Sequence, residues 1–179
     1  MTRYVALLRG VNVGSTRLAM ADLRRIVVDL GHDDVTTHLQ SGNVVFGSTV
    51  RDAEKLAAGI ERALTDELGL TVPVLVRSGR EFAAVAGGNP YAEVDDDPKR
   101  LLVAFLATAP KKSLVDALTV PGGENVAFTV TGREIFLHFP DGGYGRTKFT
   151  NAYLEKKLGV VGTTRNWKSV RALAELAAG

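Results

Sequence analysis

Two glycine-rich loops contain the backbone best suited to holding an anion. The first, residues 9–15, reads Arg-Gly-Val-Asn-Val-Gly-Ser between a predicted strand and a predicted helix. Such a loop directs backbone N–H groups at an anion, and the helix dipole assists it. The loop lacks both the Gly-Lys-Ser/Thr of a P-loop and the Gly-x-Gly-x-x-Gly dinucleotide fingerprint. Anion binding therefore competes with a simpler interpretation, a connection that needs two flexible positions.

The second loop, residues 140–148, ends in basic residues where a helix is predicted to begin. Arg146 and Lys148 lie at this predicted start, and Arg165 and Lys168 flank the start of the next helix. A base at an exposed helix N-terminus is unfavourable by roughly 0.3–1 kcal/mol. A bound anion would neutralise both helix starts. The alternative is that these side chains extend into water, where salt screens the cost.

Few other residues suggest catalysis. The three histidines have no partner at metal-ligand spacing, so we predict no metal and no cofactor. The carboxylates of residues 95–97 precede Pro98 and are interpreted as a solvated turn rather than a Mg²⁺ site. The absence of cysteine excludes thiolate catalysis and disulfides, and no serine lies in a nucleophile elbow. By residue type, Asp141 and His138 are the best candidates for a general acid or base.

The only tryptophan, Trp167, follows a Thr-Thr-Arg-Asn segment. Asn166 is a plausible N-cap for the last helix. The favoured interpretation places Trp167 in the core or between the two halves, and the alternative is that it stacks on a planar ligand.

The elements that would position these residues predict an α+β fold. Apolar periodicity in the first 77 residues indicates the order β-α-β-β-α-β, the ferredoxin-like pattern, whose second and fourth strands lie at the sheet edges. Pro73 and the polar strand around residue 36 suit edges. The predicted strands are 4–9, 35–40, 43–46 and 72–77, with helices near 20–30 and 56–68.

The second half is predicted to be smaller and less regular. Ser78 and Glu81 form a capping-box pair that opens a short helix, which the glycines at 87 and 88 end. Beyond it we predict a buried strand at 101–106, a short helix at 111–118, a hairpin turning at residues 131–132, and two terminal helices at 148–158 and 167–178. No internal repeat is evident. The predicted domains are a ferredoxin-like subdomain, 1–88, and a C-terminal α+β subdomain, 89–179.

Composition is that of an ordinary globular protein. Hydrophobic residues make up 45% of the 179 positions and charged residues 23%, so disorder is not expected. The net charge is +2, but residues 133–179 hold eight bases against four acids. No apolar run approaches the roughly 20 residues of a membrane span. We therefore expect a cytoplasmic protein with no membrane partner.

Several motifs in this order resemble the bacterial domain-of-unknown-function family numbered 1697. They are Leu-Leu-Arg-Gly-Val-Asn-Val-Gly from residue 7, Met-Ala-Asp-Leu from residue 20, Gln-Ser-Gly-Asn-Val-Val-Phe from residue 40 and Thr-Arg-Asn-Trp from residue 164. Matches at 148–149 and 154–159 extend the resemblance over nearly the whole chain. The resemblance implies an α+β fold with a ferredoxin-like N-terminal part, and it implies no activity.

These observations leave three functions open. The leading hypothesis is a binding module for an anionic ligand, a nucleotide or a short nucleic-acid segment. The alternatives are an enzyme acting on a phosphorylated small molecule, and a protein-interaction module that pairs through an edge strand. The sequence leaves the oligomeric state open. The residues predicted to contact the ligand are Arg9, Asn12, Gln40, Ser41, Asn43, Lys148, Arg165, Asn166 and Trp167.

Overall fold

A computed structural model describes residues 1–179, which divide into two compact units. Unit 1 contains residues 1–86 and 172–179, and unit 2 contains residues 87–171. The division predicted from the sequence was 1–88 and 89–179. It differs from the observed division chiefly because it assigned residues 172–179 to the C-terminal subdomain, whereas the structure assigns them to unit 1. These residues contact unit 1, although they follow unit 2 in the chain.

Unit 1 contains a four-stranded antiparallel sheet in the order β2-β3-β1-β4. The second and fourth strands lie at its edges, as predicted. Its strands are β1 (Thr2–Leu8), β2 (Asp33–Thr37), β3 (Asn43–Ser48) and β4 (Val74–Ser78), and its helices are α1 (Met20–Asp29), α2 (Ala53–Leu68) and α3 (Gly79–Gly87).

The core of unit 1 follows from side-chain periodicity. Alternate residues of β1 point to the same face of the sheet, where they meet the apolar stripes of α1 and α2. Asp52 caps α2 through two backbone N–H groups, and Gly69 ends it in the left-handed conformation, φ 66°. The buried cluster on this face includes Tyr4, Ala6, Leu8, Leu23, Ile26, Val44, Phe46, Leu56, Ile60, Leu64 and Val76.

Unit 2 also contains a four-stranded antiparallel sheet, in the order β6-β7-β5-β8. Residues of β5 and β7 pack against α5 in its core. Its strands are β5 (Leu101–Leu106), β6 (Ala127–Thr131), β7 (Glu134–His138) and β8 (Gly162–Asn166), its helices are α4 (Lys112–Asp116) and α5 (Asn151–Leu158), and α6 (Trp167–Ala177) follows directly.

The two units repeat one topology, whereas the sequence analysis found no repeat. In each unit a β-α-β-β-α-β sequence gives the same strand order, and a further helix follows the last strand without a loop. The registers correspond, because Val5 is opposite Arg77 in unit 1 and Val103 is opposite Arg165 in unit 2. The repeat is one of strand order and backbone hydrogen bonding, which different side chains can support. The residue identities of the two units therefore did not reveal it.

In unit 2 the sequence analysis missed one strand and placed the start of one helix wrongly. Residues 162–166 form β8. This strand was not predicted because its sequence, Gly-Thr-Thr-Arg-Asn, lacks the apolar alternation on which the strand predictions relied. Helix α5 begins at Asn151 rather than at Lys148, because Thr150 Oγ1 accepts the backbone N–H of Tyr153 and fixes the first turn there. No helix in the structure is long and apolar enough to cross a membrane.

Candidate functional site

The loop after β1 has an alternating backbone. Gly10, Asn12 and Gly14 have φ values of 73°, 56° and 56°, whereas Val11 and Val13 have negative φ. Alternation of right- and left-handed residues makes a concave row of N–H groups, an arrangement that binds anions. Within this loop, no acceptor in the chain is recorded for the N–H groups of Gly10, Val11, Gly14 and Ser15.

Asn12 holds this loop in shape. Its Nδ2 donates to the carbonyl of Leu18 at 2.9 Å and to the carbonyl of Gln40 at 2.6 Å. Its Oδ1 accepts the N–H of Leu18 at 3.0 Å. Both amide N–H groups of the side chain are therefore used within the chain, which favours a positioning role for Asn12 over direct ligand contact. Its ligand-binding role stays a prediction.

Residues 38–43 form the neighbouring loop. Asn43 is fully buried, and its Nδ2 donates to the carbonyl of His38 at 2.8 Å and to Ser41 Oγ at 2.9 Å. Gln40 and Ser41 are exposed, and the side-chain amide of Gln40 has no partner in the chain. Of the three, Asn43 shapes the loop, whereas Gln40 and Ser41 present polar groups to solvent.

The two loops lie against each other within unit 1. Besides the bond from Asn12 to Gln40, the N–H of Leu8 donates to the carbonyl of Gly42 at 2.8 Å. Arg9 is half-buried at the beginning of the first loop, and its N–H donates to the carbonyl of Pro73 at 2.9 Å. The structure thus brings together the five predicted site residues of unit 1. The helix dipole is not part of this arrangement, because α1 begins only at Met20.

The other four predicted site residues belong to unit 2, where Arg165 is 7% exposed. Its Nη1 donates to Thr163 Oγ1 at 2.6 Å and to the carbonyl of Thr164 at 3.1 Å. Desolvation by burial lowers the pKa of Arg165 to about 10, opposed by the nearby Tyr144 hydroxyl. Burial in turn raises the pKa of Tyr144, while Thr164 and Arg165 oppose that rise. Arg165 is charged at pH 7 and is held by neighbouring oxygens.

The second glycine loop differs from the prediction. A single 3-10 turn, Tyr144–Arg146, precedes an extended segment, so Arg146 and Lys148 do not lie at a helix N-terminus. Glu124 accepts the hydroxyl of Thr147 and, at 2.7 Å, the N–H of Lys148. These hydrogen bonds lower the pKa of the Glu124 carboxyl. The argument for an anion from bases at this helix start is therefore wrong.

A cavity of about 310 Å³ borders the second glycine loop. Among the residues that line it are two carboxylates, Glu124 and Asp141, and one base, Arg146. Asp141 accepts a hydrogen bond from Asn125 Nδ2 at 3.1 Å. Because acids outnumber bases in this lining, the electrostatics of the cavity do not favour an anion.

Asn166 and Trp167 lie where β8 meets α6. The Oδ1 of Asn166 accepts the N–H of Ser169 at 2.8 Å, which confirms the predicted N-cap. Trp167 is 5% exposed, which agrees with core packing. Asn166 is exposed and remains accessible, whereas an indole buried to this extent has little surface on which a planar ligand could stack.

His138 has a carboxylate partner that the sequence analysis missed. Its Nε2 lies 3.0 Å from Asp95 Oδ2, both side chains are 10% exposed, and the imidazole stacks on Tyr91. The hydrogen bond from His138, together with the Asp97 N–H and the charge of Arg100, lowers the pKa of Asp95. The cluster fixes residues 91–100 to the end of β7, where His138 is the last residue.

A second buried arginine also escaped the sequence analysis. Arg77 is 2% exposed in β4 and precedes Ser78, whose Oγ accepts the N–H of Glu81 at 3.2 Å. Arg165 likewise precedes the cap residue Asn166. The two buried arginines therefore share a sequence pattern, in which an arginine directly precedes a helix-capping residue at a strand-to-helix junction. This pattern was the only signal in the sequence that could have identified Arg77. No group of three or more metal-ligating side chains is assembled in the structure.

Comparison with known proteins identifies a family and a fold. The sequence profile of a family described as "Protein of unknown function (DUF1697)" matches residues 1–136. The solved structure of the conserved bacterial protein SP0830 from Streptococcus pneumoniae is similar, with a TM-score of 0.72 and 23% sequence identity over 98% of each chain. No curated protein matches the sequence. At this identity the similarity shows the fold alone.

Proposed function

Since this chain belongs to the DUF1697 family of proteins of unknown function, we propose a function from its geometry: it is a binding module for an anionic ligand, a nucleotide or a short nucleic-acid segment. The proposal includes a ferredoxin-like arrangement of unit 1, a cytoplasmic location and a bacterial origin. The loop at residues 10–15 carries it, because several of its N–H groups have no recorded acceptor in the chain and its φ values alternate in sign, as in backbone segments that bind anions.

The side chains beside the loop add charge and polarity. Arg9 begins the loop, and a guanidinium pairs with phosphate oxygens in bidentate fashion. Gln40 and Ser41 are exposed on the adjoining loop, and the side-chain amide of Gln40 could bond the polar edge of a sugar or base. Asn12 and Asn43 hold the two loops in register through their own hydrogen bonds. These residues therefore divide into a contact set and a positioning set.

Unit 2 has a smaller part in this proposal. Lys148 and Asn166 are exposed, and contact of these residues of unit 2 with an anion is a separate part of the proposal. Arg165 and Trp167 are buried, so they support β8 and α6 rather than supply accessible contacts. For the enzyme alternative, Asp141 lines the cavity beside the second glycine loop, whereas the imidazole of His138 is paired with Asp95.

Thermal unfolding in the presence of ligands tests the function. The panel is inorganic phosphate, sulfate, mononucleotides and short oligonucleotides, each at low and at physiological salt. Specific binding at a hundredfold excess over Kd adds about 2.7 kcal/mol, which for a chain of this size raises Tm on the order of 5–10 °C. We expect a selective rise that persists at physiological salt.

Two matched arginine variants locate the site. Arg9→Ala and Arg62→Ala each remove one positive charge from unit 1, but Arg62 is exposed on α2 rather than in the loop pair. We expect Arg9→Ala to abolish the ligand-dependent rise and Arg62→Ala to retain it. Equal losses in both variants, or a rise that is the same for all anions and vanishes with salt, would mean that only the general positive charge binds anions.

A further inference from the structure

Each antiparallel sheet ends in two edge strands, whose outward N–H and C=O groups are a template for pairing with another chain. The sequence analysis singled out the strand near residues 35–40 as such an edge. The structure shows that this strand, β2, is protected. It begins with two carboxylates, Asp33 and Asp34, and its register with β3 shifts between Asp33 and Thr36. Charge and irregularity of this kind oppose pairing with a second strand.

Side chains protect the edges at β4 and β8. At β4, Glu61 Oε1 accepts the N–H of Val74 at 2.8 Å. At β8, Glu155 Oε2 accepts the N–H of Gly162 at 3.0 Å, and Asn151 Nδ2 donates to its carbonyl at 2.9 Å. In each strand, backbone groups that a partner strand would need are bound within the chain.

The remaining edge, β6, has none of these protections. Residues Ala127–Thr131 contain no charge and no proline, and their register with β7 is unbroken. Phe128 and Val130 are half-buried, with their covered surface packed against the core of unit 2. Part of each side chain therefore remains exposed at the edge, where a partner strand would cover it.

The hairpin turn determines which backbone groups of β6 point outward. Gly132 and Arg133 form a two-residue turn, so Thr131 and Glu134 make the hydrogen-bonded pair that closes the hairpin. Such pairs alternate along an antiparallel ladder. Phe128 and Val130 therefore direct their N–H and C=O away from β7, and these groups have no partner in the chain.

We propose that β6 pairs antiparallel with β6 of a second copy of this chain, about a two-fold axis at Thr129. In this register, Phe128 of each copy is opposite Val130 of the other, and the outward groups of the two residues form four backbone hydrogen bonds. The two Thr129 residues face each other as the non-hydrogen-bonded pair. The unit 2 sheets of the two copies then form one continuous eight-stranded sheet.

The side chains of β6 suit a second copy because the pairing is self-complementary. Phe128 and Val130 form an aromatic–β-branched pair on either side of the axis, which is a favourable cross-strand combination. The two Thr129 residues meet at the axis, and each Oγ1 is hydrogen-bonded to the Tyr91 hydroxyl of its own chain at 2.8 Å. No like charges face each other within the strand, so the isologous contact carries no repulsion. A five-residue strand buries less than the about 1,000 Å² of a stable interface, so the dimer is expected to dissociate on dilution.

Cysteine cross-linking tests this geometry, because the chain has no cysteine of its own. Thr129→Cys places two thiols across the axis, and opposed Cβ atoms in a non-hydrogen-bonded pair approach the separation of a disulfide. Thr131→Cys is the matched control. Although Thr131 is the more exposed residue, its two copies would lie about 13 Å apart. Because Thr129→Cys also removes the hydrogen bond between Thr129 Oγ1 and Tyr91, circular dichroism and Tm check that both variants fold.

We expect Thr129→Cys to form a disulfide-linked dimer at least about tenfold faster than Thr131→Cys, because pairing raises the effective thiol concentration. Adding Val130→Pro to Thr129→Cys removes two of the four intermolecular hydrogen bonds and leaves the bonds to β7 intact, since the N–H of Val130 points outward. This double variant is expected to cross-link at the rate of the control. Equal rates for Thr129→Cys and Thr131→Cys, or a folded double variant that cross-links undiminished, would overturn the proposal.

Discussion

Asn12 Nδ2 lies 2.6 Å from the carbonyl oxygen of Gln40, and this hydrogen bond joins the two loops of the candidate site. Asn12 adopts φ 56°, a left-handed conformation that asparagine tolerates better than most residues. One side chain thus fixes the curvature of its own loop and the position of the next. The shape of the proposed anion site depends on this residue even if the ligand never touches it.

Two replacements of Asn12 separate the stability contributed by its side-chain hydrogen bonds from the cost of its left-handed backbone conformation. Asn12→Ala removes three hydrogen bonds, at about 1 kcal/mol each, and places alanine in the left-handed region at a further cost of roughly 1–2 kcal/mol. Asn12→Gly removes the same bonds without the conformational cost. We expect urea unfolding to show both variants destabilised, with the alanine variant less stable by about 1 kcal/mol or more. Equal stabilities would contradict the conformational argument.

Gly42 occupies a position that admits no side chain. A Cβ atom there would lie 2.6 Å from Val11 Cγ2 and 2.8 Å from Leu8 Cβ, and φ is 80°. We expect Gly42→Ala to lower the free energy of unfolding by about 3 kcal/mol or more, from overpacking and a left-handed alanine together. Gly69→Ala is the control, because φ is 66° there and nothing lies within 4 Å. Its cost should stay near 1 kcal/mol in the same denaturant titration.

The helix caps at the two strand-to-helix junctions are expected to be of similar strength. Ser78 Oγ and Asn166 Oδ1 each accept a backbone N–H of the following first turn. Ser78→Ala and Asn166→Ala should each cost about 1 kcal/mol. Asn166→Ser retains a capping oxygen and should keep most of the stability. A full loss in the serine variant would show that Asn166 acts through some contact other than the cap.

Acidification is expected to weaken the attachment of residues 91–100. The pKa of Asp95 is lowered in the folded protein, first by its hydrogen bond with His138, from an ordinary value of 3.8. The unfolded chain therefore takes up this proton at a higher pH than the folded chain does. The stability that Asp95 contributes is complete above pH 3.8 and falls as pH drops through the lowered folded pKa.

Two aspartate variants measured by thermal unfolding between neutral and acid pH check this behaviour. Asp95→Asn should be less stable than the parent near neutral pH, and the difference should shrink as pH falls below 3.8. Asp66→Asn, at an exposed position of α2, is the control and should follow the parent throughout. A difference between Asp95→Asn and the parent that is independent of pH would mean that packing, rather than charge, holds the cluster together.

The sequence by itself determined the elements of unit 1. Apolar periods of 3.6 and 2 residues predicted α1, α2 and the four strands, and glycine and proline predicted their ends, because these signals are local. The edge positions of β2 and β4 followed from the predicted β-α-β-β-α-β order, with which the polarity of β2 and Pro73 agree. The same local signals correctly gave the capping box at Ser78 and the cap at Asn166.

Only the tertiary structure decided which polar residues are accessible. Arg165 was predicted to contact a ligand because it lies in a polar segment, yet that segment pairs with β5 as a strand and the arginine is buried. Asp95 and His138 are 43 residues apart, so no local spacing revealed their contact. Burial and long-range hydrogen bonds depend on how distant segments pair, and a single sequence records that pairing only through weak preferences of each residue.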